Sequence, residues 1–79
     1  MIYRFCIRSP IVGVYRGRDG RGTAEVIPAG AEVTTTDPDV QNSSANRLKL
    51  VPVEWRGLTL GVSLLDLLDG AETVEQAGG

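Results

Sequence analysis

The chain has 79 residues, of which 42% are hydrophobic, and a net charge of −2, which indicates one small folded domain rather than a disordered segment. A single cysteine excludes a disulfide framework, and the absence of histidine removes the commonest general base and metal ligand. No apolar run reaches the roughly 18–20 residues of a membrane span, and the first residues lack a secretion-signal pattern. We therefore expect a cytoplasmic domain that makes no contact with a membrane.

The first half of the chain consists of short extended segments separated by turn residues. The predicted strands are residues 2–7, 11–15, 23–27 and 32–36. A polar, glycine-rich loop (residues 16–22) follows the second of these strands, and the polar stretch 37–46 has no apolar period and is also predicted to be a loop. Many short segments with frequent glycine and proline predict an all-β domain.

The clearest local pattern is a hairpin within residues 48–62. If Arg56-Gly57 is a two-residue turn, every pair on one face of the hairpin is apolar. These pairs are Trp55 with Leu58, Val53 with Leu60, and Val51 with Val62. A shift by one residue would destroy this match, so the register is well specified. Pro52 has no amide to donate, which predicts that its strand lies at an edge or carries a bulge.

The apolar period changes after Val62, where Ser63 can cap a short helical turn and Gly70 can end it. The leucines of this turn form one broad face, which we expect to close one end of the sheet. Leu67, at the margin of that face, is predicted to be the most exposed of them and a contact for a second copy or another protein. Residues 1–70 are thus expected to form a single domain and residues 71–79 a flexible tail.

These segments follow a recognisable order along the chain. A long loop is followed by an apolar strand with the turn Val26-Ile27-Pro28-Ala29-Gly30, a strand, a variable loop, the glycine-turn hairpin and the ending Val62-Ser63-Leu64-Leu65. This order resembles that of small bacterial SH3-like proteins, and the resemblance covers roughly residues 3–68. It implies a small SH3-like barrel of about five strands with a short C-terminal helical turn.

Positive charge is concentrated at the start of the chain. Residues 1–21 carry five arginines against one aspartate, whereas residues 22–79 carry three cations against nine carboxylates. Arg16, Arg18 and Arg21 fall in or next to the glycine-rich loop, where they could contact an anion, a nucleic acid or a protein partner. The alternative is a solvated loop whose arginines meet the protein's own carboxylates.

Other reactive side chains offer little for catalysis. Cys6 has no histidine partner and is expected to pack rather than react. Asp37 and Asp39 could hold a hard cation, but they are also ordinary turn residues. Because no nucleophile–base set can be assembled, we expect no catalytic residues, no metal, no other cofactor and no enzymatic activity.

The expected function is that of a non-catalytic protein-interaction module, whose loops and hairpin edges bind a protein partner or a second copy. The alternative is a nucleic-acid-binding or anion-binding accessory protein that uses loop 16–22, although the acidic balance of the whole chain disfavours it. A third hypothesis is an assembly role through Leu67 or a free strand edge.

Overall fold

The computed structural model describes residues 1–16 and 20–77, with the backbone alone at Arg16 and at residues 75–77. The described residues form seven β-strands, one short α-helix and one turn of 3₁₀ helix. The strands are β1 (Ile2–Ile7), β2 (Ile11–Arg16), β3 (Gly22–Ile27), β4 (Glu32–Thr35), β5 (Leu50–Trp55), β6 (Leu58–Ser63) and β7 (Ala71–Ala77). The helix α1 spans Leu64–Gly70, and the 3₁₀ helix Pro38–Gln41 lies between β4 and β5.

All seven strands belong to one antiparallel sheet with the order β3-β2-β6-β5-β4-β1-β7. The all-β prediction is therefore confirmed. The predicted count of about five strands is too low, and β3 and β7 remain separate edges, so the described strands do not close into a barrel. The helix α1 packs against β2, β6 and β7.

The largest difference from the sequence prediction lies at residues 71–77. Instead of beginning a flexible tail, this segment forms β7, whose register with β1 runs from Ile7↔Ala71 to Ile2↔Ala77. The register shifts once, between Arg4 and Phe5. The sequence of this segment shows no clear apolar alternation, and the backbone hydrogen bonds that join it to β1 do not depend on one, so the strand was not predicted.

The hairpin of β5 and β6 has the predicted register in every apolar pair. Val51 faces Val62, Val53 faces Leu60 and Trp55 faces Leu58. The turn places Arg56 at φ +52° and Gly57 at φ +76°, as a two-residue hairpin turn of type I′ requires. The guanidinium carbon of Arg56 lies 5.1 Å from the ring centroid of Trp55, a cation–π contact that holds this unusual turn residue in place.

Pro52 lies in an interior strand, contrary to the prediction of an edge or a bulge. Its strand β5 has β6 on one side and β4 on the other, but β4 is joined to β5 at the single register pair Thr34↔Glu54. The buried Thr35 hydroxyl donates a 2.6 Å hydrogen bond to the Pro52 carbonyl and accepts one of 3.1 Å from the Asp37 amide. The carbonyl of Pro52, the one backbone hydrogen-bonding group that a proline retains, is thus satisfied by a side chain.

The core lies between the inner face of the sheet and α1. Its most deeply buried side chains are Ile7, Ile27, Leu60, Leu64, Leu67, Val33, Val51, Val53 and Val62. The prediction that Leu67 is an exposed contact is wrong, because Leu67 is fully buried whereas Leu68 is 37% exposed. The helix α1 follows β6 without a loop, which turns Leu64 and Leu67, three residues apart, towards the core.

Candidate functional site

An apolar patch lies on the outer face of the sheet, opposite the core. Successive residues of a strand point to opposite faces, so the buried Ile11 and Gly13 place Val12 and Val14 outside. The side chain of Val12 is 52% exposed, and that of its register partner on β3, Val26, is 57% exposed. We call this surface the outer patch and define it as Val12, Val14, Ala24, Val26, Leu50 and Gly61.

Strand register brings the members of the outer patch together. Val12 faces Val26 and Val14 faces Ala24 in the β2–β3 pair, while Val14 faces Gly61 in the β2–β6 pair.

Gly61 opens a shallow depression at the centre of the outer patch. A Cβ at this position would stand 3.5 Å from Leu50 Cδ1 and 3.6 Å from Val14 Cγ2. Because Gly61 has no side chain, these two residues border a cavity of about 240 Å³. The depression is large enough to receive an apolar side chain of a partner.

A more polar cavity, the threonine groove, continues the same face of the sheet towards β1. It has a volume of about 250 Å³ and is lined by Ile2, Thr34, Thr35, Thr36, Pro52, Glu54 and Thr59. It adjoins the outer patch because Pro52 faces Gly61 in the β5–β6 pair. Its hydroxyl groups can both donate and accept hydrogen bonds, as a polypeptide backbone lying across the sheet would require.

The outer patch is not among the sites that the sequence predicts. Residues 11–15 are apolar on both sides of the strand apart from Gly13, which hides the usual alternation. A short run of apolar residues without alternation is itself the signal of a strand with two apolar faces.

Two of the three predicted arginines lie at one end of the sheet, and Arg18 lies outside the described residues. Arg16 is the last residue of β2 and pairs with Gly22, the first residue of β3. Arg21 immediately precedes β3 and its side chain is exposed. The backbone therefore brings Arg16 and Arg21 together at the shared end of β2 and β3.

The turn of the β5–β6 hairpin lies at this same end. The pair Val14↔Gly61 aligns the end of β2 with the start of β6, which immediately follows the turn. Arg56 thereby joins the predicted arginines, and we call Arg16, Arg21 and Arg56 the basic end. The sequence predicts Arg56 only as a turn residue, because its place beside β2 depends on long-range pairing.

Asp37 and Asp39 bind an ammonium group of the chain itself. Lys49 Nζ lies 2.6 Å from Asp39 Oδ2 and 3.0 Å from Asp37 Oδ2. The hydrogen bond from Lys49 lowers the pKa of Asp39, and the hydrogen bonds to Asp39 and then Asp37 raise the pKa of Lys49. This cluster ties the 3₁₀ helix to the residue before β5. Among the residues that the structure describes, no group of three or more Cys, Asp or Glu could hold a metal ion.

Cys6 is half-buried on β1, with Glu32 opposite it on β4 and Glu72 opposite it on β7. Arg4 and Arg8, the basic residues nearest to Cys6 along the chain, each lie near one of these carboxylates. Arg4 Nε is 3.9 Å from Glu32 Oε1, and Arg8 Nη1 is 3.6 Å from Glu72 Oε2. The positive charge beside the thiol is therefore partly neutralised, and packing remains the better interpretation of Cys6.

No match to this chain was found among protein-family models, curated proteins or solved structures. Within the described residues, no helix is both long and apolar enough to cross a membrane. Function is therefore inferred from the geometry and chemistry of the surface.

Proposed function

We propose that the chain is a non-catalytic protein-interaction module of the cytoplasm and that the outer patch is its contact surface. The observation that carries this proposal is the contiguous exposure of Val12, Val14, Val26 and Leu50 on one face of the sheet. A domain of this size has few apolar side chains to spare from its core. Clustered apolar side chains on its surface are typical of a site that binds another protein.

The partner that fits best is an extended segment of another protein, with apolar side chains followed by carboxylate groups. Its apolar side chains would fill the depression between Val14 and Leu50, and its backbone would lie along the threonine groove. The basic end lies beside this face and would attract the carboxylates, which gives the segment a direction.

The test is selection of binding peptides from a displayed random library, with the whole chain immobilised. We expect apolar–acidic peptides that bind the wild-type chain at least about tenfold more tightly than the Val14→Ser/Leu50→Ser variant. Val74→Ser is the matched control, because Val74 is 53% exposed on β7, away from the patch. Dispersed amide NMR spectra establish that each variant is folded. A library that yields no binders, or binders that are indifferent to the double substitution, would refute the proposal.

The second candidate function is binding of a nucleic acid or another polyanion at the basic end. The specific observation in its favour is the half-buried Trp55 ring with the Arg56 guanidinium over it, at the end where Arg16 and Arg21 lie. Aromatic and guanidinium planes that stack on bases, together with cations that bind phosphates, are typical of single-strand binding surfaces.

This second candidate predicts NMR shifts with short oligonucleotides. Addition of single-stranded DNA at low salt should shift the amides around Arg21 and Trp55, and the shifts should vanish at higher salt. Alanine at Arg16, Arg21 and Arg56 together should abolish them. Shifts that persist in this triple variant, or that are absent from the wild-type chain at low salt, would remove the candidate.

We also propose that the sheet is a variant of the bacterial SH3-like barrel in which β7 is an additional edge strand. The order of β3, β4, the β5–β6 hairpin and α1 along the chain supports this relationship, since it is the order on which the resemblance rests. Superposition of an experimental structure on such barrels is the test. Strands β2 to β6 that fail to align in order and direction would rule it out.

A further inference from the structure

The edge strand β3 can accept another strand. It pairs with β2 on one side, and no described strand pairs with its other side. Its six residues, Gly22–Ile27, include no proline and no lysine, the residues that commonly protect a sheet edge. Charge and register determine which strand it can accept.

Arg21, Thr23 and Glu25 fall on one face of the extended chain, because residues two apart share a face. A second copy of β3 that runs antiparallel around a two-fold axis at Thr23 brings Arg21 of each copy opposite Glu25 of the other. The same axis brings Thr23 opposite Thr23 of the second copy. Opposite charges and paired threonines are both favourable across strands, so this register is self-complementary.

Other registers and the other edge lack this complementarity. An axis at Glu25 would oppose two carboxylates, and an axis at Ala24 would leave Glu25 opposite Thr23 of the second copy. The edge strand β7 contains Glu72 and Glu75 and no basic residue, so no pairing of two β7 strands can place a cation of one strand opposite a carboxylate of the other.

We propose that the chain forms a homodimer by antiparallel pairing of β3 with β3 of a second copy, in the register that opposes Arg21 and Glu25. A guanidinium has five N–H donors, so Arg21 can bind Glu25 of the second copy and keep a further contact in its own chain. One strand edge buries much less than the roughly 1,200–2,000 Å² of a standard interface, so the dimer is weak and forms at high protein concentration.

The dimer leaves the outer patch free, because side chains of the outer face project perpendicular to the edge of the sheet. It joins the two sheets and brings both outer patches onto one continuous face. A partner with two binding segments would then bind more tightly than a partner with one, because binding of the first segment holds the second near the other outer patch. This inference stands independently of the proposed function.

Cysteine cross-linking tests directly which residues face each other across the β3–β3 pair. In a Cys6→Ala background, Thr23→Cys should give a disulfide-linked dimer under mild oxidation, because facing Cα atoms in an antiparallel pair lie about 4.5–5.5 Å apart. Val74→Cys, exposed on the other edge strand, is the control and should remain monomeric. Faster cross-linking of Ala24→Cys or Glu25→Cys than of Thr23→Cys, or equal cross-linking of the control, would overturn the proposed pairing.

Charge exchange provides the second test, with sedimentation equilibrium as the measurement. Arg21→Glu and Glu25→Arg should each raise the dimer dissociation constant at least about tenfold, because the two-fold axis repeats each altered pair. The double variant should return it to within about threefold of wild type, while Glu72→Arg should leave it unchanged. Failure of the double variant to restore the dimer, or a wild-type chain that stays monomeric up to about 1 mM, would refute the inference. Peptide binding at the outer patch of such a monomer would leave the proposed function intact.

Discussion

Gly13 lies where β2 packs tightly against side chains of β6 in the core. A Cβ added to it would lie 2.9 Å from Leu60 Cβ, 3.2 Å from Leu60 Cδ1 and 3.3 Å from Val62 Cγ2. The Leu60 Cβ is fixed to the backbone, so a change of rotamer cannot move it away. Leu60 and Val62 are themselves fully buried, which leaves no space into which they could shift. Alanine at this position must therefore push the two strands apart.

We expect Gly13→Ala to lower the free energy of unfolding by about 1–2 kcal/mol. Overpacking of a filled core costs about 1–3 kcal/mol. The loss of unfolded-state freedom when glycine becomes alanine offsets about 0.4–1 kcal/mol of this cost. The remainder is a substantial fraction of the roughly 4–12 kcal/mol expected for a domain of this length.

Urea unfolding followed by the fluorescence of Trp55, the single tryptophan, measures this change. Gly22→Ala is the matched control, because Gly22 lies in the adjacent strand β3 and a Cβ there meets nothing within 4 Å. We expect the control to be neutral or more stable than wild type by up to about 1 kcal/mol. If the two variants unfolded at the same urea concentration, the close approach of β2 to β6 would be refuted.

The buried and bonded groups described above lead to three further predictions, each measured by the same unfolding experiment. Leu67→Ala should lower the free energy of unfolding by about 2–5 kcal/mol and Leu68→Ala by less than about 1 kcal/mol, since only Leu67 is fully buried; similar losses would contradict its placement. Thr35→Val should cost about 1–3 kcal/mol, because both hydrogen bonds of the buried hydroxyl are lost; an unchanged midpoint would argue against them. With Lys49→Met, the free energy of unfolding should fall less steeply below about pH 4 than it does in the wild-type chain. Because the pKa of Asp39 is lower in the folded state, its carboxylate stabilises the fold above the unfolded pKa of about 3.9, and this stability is lost as the pH falls through the folded pKa. The same fall in the free energy of unfolding at acid pH in the variant and the wild type would count against the ion pair.

Local patterns in the sequence were sufficient to predict strands β1 to β6, including the hairpin of β5 and β6. The register of β5 and β6 follows from three apolar pairs around Arg56-Gly57, and a slip by one residue would expose all of them. The all-β class follows in the same way from short segments and frequent turns. These features depend on residues close together in the chain, which a single sequence displays.

Features that depend on distant pairing could not be predicted in this way. Leu67 faces the core because α1 follows directly from β6, and the orientation of the helix on the sheet is not encoded in its leucine spacing alone. The strand β7 is held by β1, nearly seventy residues earlier, through backbone groups that every sequence possesses. The basic end likewise combines Arg16 and Arg56 only after β2 pairs with β6.

The pairing of β1 with β7 has a consequence for the use of this domain inside other proteins. Ile2 and Ala77 are register partners, so the two ends of the sheet-forming chain lie side by side. A domain whose ends are neighbours can be inserted into a loop of a host protein with little distortion of either. For the same reason, a short linker could join the ends into a circle, and new ends could then be opened at the exposed Arg56-Gly57 turn.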